Sequence, residues 1–515
     1  MNCTAPTVVT RAESSVEKIE LPMTQQTQTS SPCRMLVLLS ALAILPFWTV
    51  RYPVITDYPN HLARWFVLFH MKDPAYHLAS MYAAAWGPLP YITPDVLALV
   101  LQSFLPIDIV GRCVLSLCVI LVVCAQYCFL RQACPTNIAL SSFAIFIALN
   151  PNFQMGSISN QFSIAFCLLA VALWVSYCRT PRLMTGLGVT ATLILAYFSH
   201  LSGFIGAGLA MGVYALFEQE RWKKLATLTL LSLPSLWIVL HNPSHPGGSA
   251  ARIYASALDK LTHVIFPLRL YTSKKLDIGV LSGLVLLLLM LLWKRPKVAL
   301  QPVWLAVCCA LLLAYVISPS NYGFGGYVDT RFLPFFYLFA LAVIRFDRVP
   351  RYLPIGLTLL VLFRIATWEQ MFVSQQRELK QLTAAFDVIP RNSRILPLTR
   401  IPYPGVIGTA DLHHLEYGVI QRGFLDPQLF HLAGVQPISL VGLPYCVNPF
   451  CDVAGAPQID WRQVANSYDY LWVHNDPEMM SAVSGIADLI FADEFVSVYR
   501  VRRAQPEPGD QLIAN

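Results

Sequence analysis

The sequence predicts an α-helical polytopic membrane protein: about eleven transmembrane helices, then a small C-terminal extracytoplasmic α/β domain. Three observations carry this reading. Of 515 residues, 56% are hydrophobic and only 13% charged, where a soluble domain carries roughly 25% charged residues; the mean hydropathy is +0.55. Lys and Arg cluster in alternate short loops between apolar runs. The long apolar runs cease near residue 370.

Residues 1–33 are rich in Thr, Ser, Gln and Glu without periodicity and read as a disordered cytoplasmic tail. The first span, 35–54, follows Arg34 and has no small-residue cleavage site after it, so it reads as an uncleaved helix and not a signal peptide. A helix crossing the hydrocarbon core needs about 20 apolar residues, fewer with interfacial aromatics. The remaining candidates are 107–130, 137–150, 161–178, 184–199, 201–217, 225–240, 278–293, 300–318, 332–346 and 353–369. Residues 95–106 are apolar but short: a re-entrant or surface helix, or part of a twelfth span.

Charge placement sets the orientation. Arg131, Arg179, Arg182, Arg221, Lys223, Lys224, Lys294, Arg295, Lys297, Arg345, Arg348 and Arg351 fall in alternate loops, whereas the short loops on the other side carry only Arg331. The positive-inside rule then places the N-terminus in the cytoplasm and everything after residue 369 outside. The net charge of +7 is explained by these loops, and no nucleic-acid motif is present. Cysteines inside spans, such as Cys113, Cys118 and Cys167, read as small packing residues. Cys446 and Cys451 lie in an outer segment, where a disulfide and two free thiols both stand as readings.

Two outer loops, 55–106 and 241–277, are long. The first opens with Asp57-Tyr58-Pro59-Asn60-His61-Leu62-Ala63-Arg64, and residues 60–71 suit a helix lying in the interface. Asp57, His61 and Arg64, spaced by four and three, share one helical face. In one reading Asp57 caps that helix while His61 and Arg64 snorkel to headgroups. In the other, a carboxylate is held at the membrane surface as a base beside cations for a phosphate. The 241–277 loop carries Arg252, Lys260, Arg269, Lys274 and Lys275 facing outward, against the topology rule. These cations either bind anionic headgroups or meet a phosphate donor arriving through the bilayer, with Gly247-Gly248 allowing the loop to move.

Three further outer turns hold polar groups. Residues 150–162 carry Asn150, Asn152, Gln154, Asn160 and Gln161, amides that could simply satisfy helix ends. His200 sits in the turn 197–203, where a structural role competes with substrate binding. Asp329 and Arg331 open the span at 332, placed to pair with each other or to bind a polar headgroup. Arg364 lies inside the last span and needs a partner. Asp411, His413, His414, Glu416 and His431 fit no established metal-ligand spacing. No Walker sequence, Gly-rich phosphate loop or Ser-His-Asp order is present.

In the last 146 residues, Leu379, Leu382, Phe386 and Ile389 mark one helix face, 479–490 reads as another helix, and 394–398, 468–473 and 495–501 read as strands.

This layout resembles the GT-C class of integral-membrane glycosyltransferases, to which the protein O-mannosyltransferases and lipid A aminoarabinose transferases belong. Within it the chain is most similar to bacterial membrane proteins carrying Asp-Tyr-Pro-Asn-His-Leu-Ala-Arg after the first span. They also carry a turn like Asn150–Phe162 and an Asp-x-Arg-Phe-x-Pro segment, here Asp329–Pro334. The similarity covers most of 35–370. It implies transfer of a sugar from a polyprenyl-phosphate carrier to a glycan, lipid or protein acceptor on the outer face. Asp57 matches the acidic residue of the first outer loop, as general base. His61, Arg64 and Arg331 would orient or neutralise the donor phosphate, with Asn160, His200, Asp329, Arg252, Arg269, Lys274 and Lys275 as further substrate-binding candidates. The class often has a second acid beside the first; Tyr58 and Pro59 stand there, which sets a divalent metal cofactor in doubt. Two other readings are a non-enzymatic binder or transporter of lipid-linked glycans, to which the lack of an internal repeat is unfavourable, and a structural partner in envelope assembly. The outer loops hold no Asn-x-Ser/Thr acceptor, which favours a bacterial inner membrane with a periplasmic C-terminal domain.

Overall fold

A computed structural model describes residues 30–242, 252–270, 273–322, 326–398, 412–432, 434–442, 445–446, 456–474 and 476–502. Gly247, Gly248, Asp411 and Cys451 lie outside them. Cys446 is disulfide-bonded.

Among the described residues, five helices are long and apolar enough to cross a membrane: Ile107–Ala133, Ile158–Arg179, Arg221–Leu240, Lys274–Lys294 and the one beginning at Tyr352. Shorter apolar helices, Leu183–Ser199, Leu201–Phe217 and Pro302–Ile317, pack among them. Ile107–Ala133 and Ile158–Arg179 form the centre, with Cys118, Val122, Phe129, Cys167, Val171 and Trp174 buried between neighbours. Arg221–Leu240 and Lys274–Lys294 instead expose Leu233, Trp237, Leu286, Leu289 and Trp293. Helices apolar on their exposed faces suit lipid, not water.

Several expected elements differ. The span expected over 137–150 is a 3-10 turn at Pro135–Leu140 and a short helix at Phe143–Ala148. Fourteen residues rise only about 21 Å as α-helix, short of the roughly 30 Å core. The Asn137 amide instead donates to Leu341 O and Ile344 O, both at 2.7 Å. The span expected over 332–346 is the helix Leu333–Ala340 followed by a strand, Ile344–Phe346, paired with Val298–Leu300. The last span and the helix after it are one continuous helix, Tyr352–Ala384. The 95–106 segment is the helix Thr93–Gln102. The interfacial helix is Tyr58–His70, but it lies inside protein: Tyr58 through Val67 are buried.

Beyond the long helix, Ile395–Leu398, Tyr470–Val473, Ser497–Val501 and Ala487–Ala492 form a sheet in that order, the first pair parallel and the others antiparallel. The helix expected over 479–490 stops at Val483, and Ala487–Ala492 is the edge strand. Leu398, Val464, Leu471, Val473, Met479 and Val483 form a second apolar core under this sheet. A further strand pair, Tyr82–Ala84 with Ile438–Leu440, ties the segment after the motif helix to the C-terminal segment.

Candidate functional site

The site is built where the motif helix, the turns around 151–156, 197–203 and 329–332 and the C-terminal segment meet. Asp57 occupies the N-cap of Tyr58–His70, yet its side chain makes no capping hydrogen bond. Its backbone N–H donates to Met155 O at 3.0 Å, and Thr56 N donates to Gln154 O at 3.0 Å, so the 151–156 turn lies directly against it. Gly156 makes that approach possible. Its φ is +107°, and a Cβ there would stand 2.4 Å from the Asp57 Cβ. The Asp57 carboxylate is about one-third exposed. Removal of water by its surroundings raises its pKa to about 6; the Glu416 charge adds to the rise, while His413, Arg331 and Arg64 oppose it.

His61 and Arg64 do not reach headgroups. Arg64 Nη2 donates to His61 Nδ1 at 3.0 Å, so the ring proton sits on Nε2 and is donated to Gly156 O at 3.0 Å. Burial and the Arg64 charge hold His61 well below its ordinary pKa, hence neutral. Arg64 Nε donates to Asp95 Oδ1 at 2.8 Å, and Trp65 Nε1 donates to the same oxygen at 3.0 Å. Arg64 and Asp95 are each 1% exposed. Arg64 Nη1 remains buried with no partner among the described residues. Asp95 was not singled out in the sequence, although a carboxylate inside the apolar stretch 94–101 was a signal.

Arg331 gathers two other sequence candidates. Its Nη1 lies 2.6 Å from His200 Nε2. His200 Nδ1 accepts the Ser202 backbone N–H at 3.0 Å as the cap of the Leu201–Phe217 helix, and it lies 2.8 Å from Ser202 Oγ. Ser202 Oγ in turn donates to Asn160 Oδ1 at 2.8 Å. Arg331, His200, Ser202 and Asn160 are thus connected side by side. Arg331 Nε is buried without a partner among the described residues, as are the amide nitrogens of Asn152 and Asn160. Asn152 Oδ1 meets Thr330 Oγ1, the neighbour of Arg331, at 3.4 Å.

The C-terminal segment closes the site. His413 Nε2 lies 3.6 Å from Asp57 Oδ1, and its Nδ1 lies 2.9 Å from Glu416 Oε1. Asn60 clamps this arrangement. Its Nδ2 donates to Glu416 Oε1 at 2.9 Å and to Gln428 O at 3.0 Å, and its Oδ1 accepts from Phe430 N at 2.7 Å. Burial raises the pKa of Glu416, and raises Asp426 well above the carboxylate range, with Glu416 adding to the latter. Asp57 and Glu416 flank opposite nitrogens of one ring, so their oxygens do not converge on a metal. Among the described residues no group of three or more His, Cys, Asp or Glu is arranged for one.

The other candidates lie apart from Asp57. Asp329 pairs with Lys260 at 3.2 Å, not with Arg331, and also accepts from Ser320 Oγ at 2.7 Å. Lys260 further donates to Tyr315 O and Ser318 O, so it is a buried tie between turns and not a lipid anchor. Arg269 pairs with Asp277 at 3.0 Å. Arg252 lies beside the Tyr322 ring, and Lys274 and Lys275 are exposed at the start of their helix. No hydrogen bond or ion pair among the described residues joins these three to Asp57. Arg364 donates to Leu149 O, Leu268 O and Arg269 O and lies over Phe146, which supplies the partners its position demanded.

With this geometry in hand, solved structures of similar fold can be compared. ArnT from Cupriavidus metallidurans in the apo state superposes with a TM-score of 0.52 at 12% identity, over 93% of this chain and 100% of its own. The same protein bound to undecaprenyl phosphate gives a TM-score of 0.50 at 11% identity, over 92% and 99%. The mycobacterial arabinofuranosyltransferase AftD gives only 0.44 at 14% identity, over 92% of this chain and 40% of its own. The chain has the GT-C membrane fold. No protein-family model matches it, and no curated protein matches it in sequence.

Proposed function

We propose that this protein is a glycosyltransferase that moves a sugar from a polyprenyl-phosphate carrier to an acceptor hydroxyl at the outer membrane surface. The carrying observation is Asp57: a partly open carboxylate with raised pKa, acted on by the charges of two arginines that each keep a buried N–H with no partner among the described residues. An unpaired buried donor costs about 1–3 kcal/mol, more when charged, a cost that a phosphate bound between Arg64 and Arg331 would offset. The ArnT structure with undecaprenyl phosphate supports a carrier of that kind.

In this mechanism Asp57 takes the acceptor proton as the acceptor oxygen attacks the anomeric carbon. Arg64 and Arg331 stabilise the charge that collects on the departing carrier phosphate in a site of low dielectric. His61, neutral and fixed by Gly156 O, holds the Arg64 fork in place. The buried N–H groups of Asn152 and Asn160 are donors of the kind that sugar hydroxyls accept. The loop residues Arg252, Arg269, Lys274 and Lys275 are weaker candidates for the phosphate, because Arg269 is paired with Asp277 and no hydrogen bond or ion pair among the described residues joins Arg252, Lys274 or Lys275 to Asp57.

The test is turnover of polyprenyl-phosphate-sugar by purified protein in liposomes. Release of free carrier phosphate with sugar on an acceptor supports the reading. Saturable carrier binding without turnover across donors would favour a binding or transport protein instead.

A further inference from the structure

His413 belongs to the C-terminal segment, 356 residues from Asp57 in sequence, yet it stands between two carboxylates of the site. Glu416 Oε1 lies 2.9 Å from Nδ1, and Asp57 Oδ1 lies 3.6 Å from Nε2. Glu416 is 1% exposed and is held by the Asn60 amide. A fixed acceptor at Nδ1 keeps the ring proton there and turns Nε2 toward Asp57, the way a buried carboxylate orients an imidazole base. His413 itself keeps a solvent-facing edge, with 12% of its side chain exposed.

We propose that His413, oriented by Glu416, accepts the proton that Asp57 removes from the acceptor, so that Asp57, His413 and Glu416 form the proton exit of the transfer. This rests on the reading of Asp57 as base. The acceptor O–H proton passes to Asp57 Oδ1 while the acceptor oxygen bonds to the anomeric carbon. The bond from that carbon to the phosphate oxygen breaks, and its electron pair leaves with the carrier phosphate. The proton then moves from Asp57 Oδ1 to His413 Nε2. The imidazolium is stabilised by Glu416 until water, reaching Nε2 from the open side of Asp57, removes the proton there.

The charged groups around the pair come from three elements. Asp57 faces His413 and Glu416 from the C-terminal segment, Arg331 from the 329–332 turn and Arg64 from its own helix. His413 also acts on His61 and on Asp426. Loss of His413 removes a group that lowers the Asp57 pKa, and loss of Glu416 removes one that raises it. The two losses therefore move the acid limb of the rate profile in opposite directions.

The experiment measures sugar transfer against pH for the full chain and for His413→Gln, Glu416→Gln and Asp57→Asn. His413→Gln should slow transfer on the order of 100-fold and shift the acid limb to higher pH, and added imidazole should restore part of the rate in His413→Ala. Glu416→Gln, which keeps the side-chain shape, should shift the limb to lower pH; it carries the test if the His413 variants do not fold. A residue that only props the fold would leave the limb in place and ignore imidazole. Parental rates and profiles in the His413 and Glu416 variants, beside an inactive Asp57→Asn, would overturn the relay but leave Asp57 as base. A fully active Asp57→Asn would overturn the reading beneath it.

Discussion

At the scale of single residues, Asp57 combines a raised pKa with a position that costs stability. With a pKa of about 6 it is mostly ionised at neutral pH and close to the range in which a base works best. Transfer should therefore rise between about pH 5 and pH 7 with a midpoint near 6; a midpoint near 4 would mean the carboxylate is not desolvated. Because the folded pKa lies above the ordinary 3.8, the folded state loses stability as pH rises through that interval and stays penalised above about 6. Asp57→Asn should thus melt higher than the parent at pH 7, by a margin that shrinks as pH falls toward 4. No capping hydrogen bond is lost in the exchange. Gly156→Ala should do the reverse. It forces a left-handed residue, worth about 1–2 kcal/mol, and drives a methyl into Asp57, so both melting temperature and transfer should fall. Asp57, His61 and Arg64 were legible in the sequence because their spacing is local. Asp95, Glu416 and the role of His413 were not, because the helix face they complete is reached only through folding of distant segments. His200, Asn160 and Arg331 each stood out alone, but nothing in their spacing showed that Ser202 would join them.

At the scale of elements, the motif helix is a buried pillar held by polar contacts from Asn60 and Arg64. Arg64–Asp95 fixes it to the Thr93–Gln102 helix, and Asn60 fixes it to the C-terminal segment. Asp95→Asn leaves a buried guanidinium without its counter-charge, which costs about 3–5 kcal/mol; thermal unfolding in detergent should register it as a large destabilisation. Asn60→Ala should release residues 412–432, seen as faster amide exchange there while the Ile107–Ala133 helix is unchanged. The long, uniformly apolar helices were legible from composition. The broken segments at 135–148 and 333–346 were not, because an apolar run of fourteen or fifteen residues reads alike as a short span and as two buried pieces. The edge strand Ala487–Ala492 was missed because its alternation is weak beside the helical pattern before it.

At the scale of the molecule, the fold brings the motif helix, the turns around 151–156, 197–203 and 329–332 and the C-terminal segment together. The orientation proposed from the charges, with the basic loops in the cytoplasm, would put that site outside. Reporter fusions at residues 222 and 400 should accordingly read cytoplasmic and periplasmic; two identical readings would break the proposed topology. The cations of 241–277 looked functional because they opposed the charge rule, yet Lys260 and Arg269 are used in ion pairs with Asp329 and Asp277; Asp329 lies 69 residues beyond Lys260 along the chain, while Asp277 was near enough in sequence to be read. The most direct test of the whole reading is Asp57→Asn in purified, reconstituted protein, with melting, polyprenyl-phosphate binding and sugar transfer measured on the same sample. The expected result is a protein as stable as the parent or more so, which still binds the carrier phosphate through Arg64 and Arg331 but has lost transfer. Transfer at the parental rate by that folded, carrier-binding variant would contradict it.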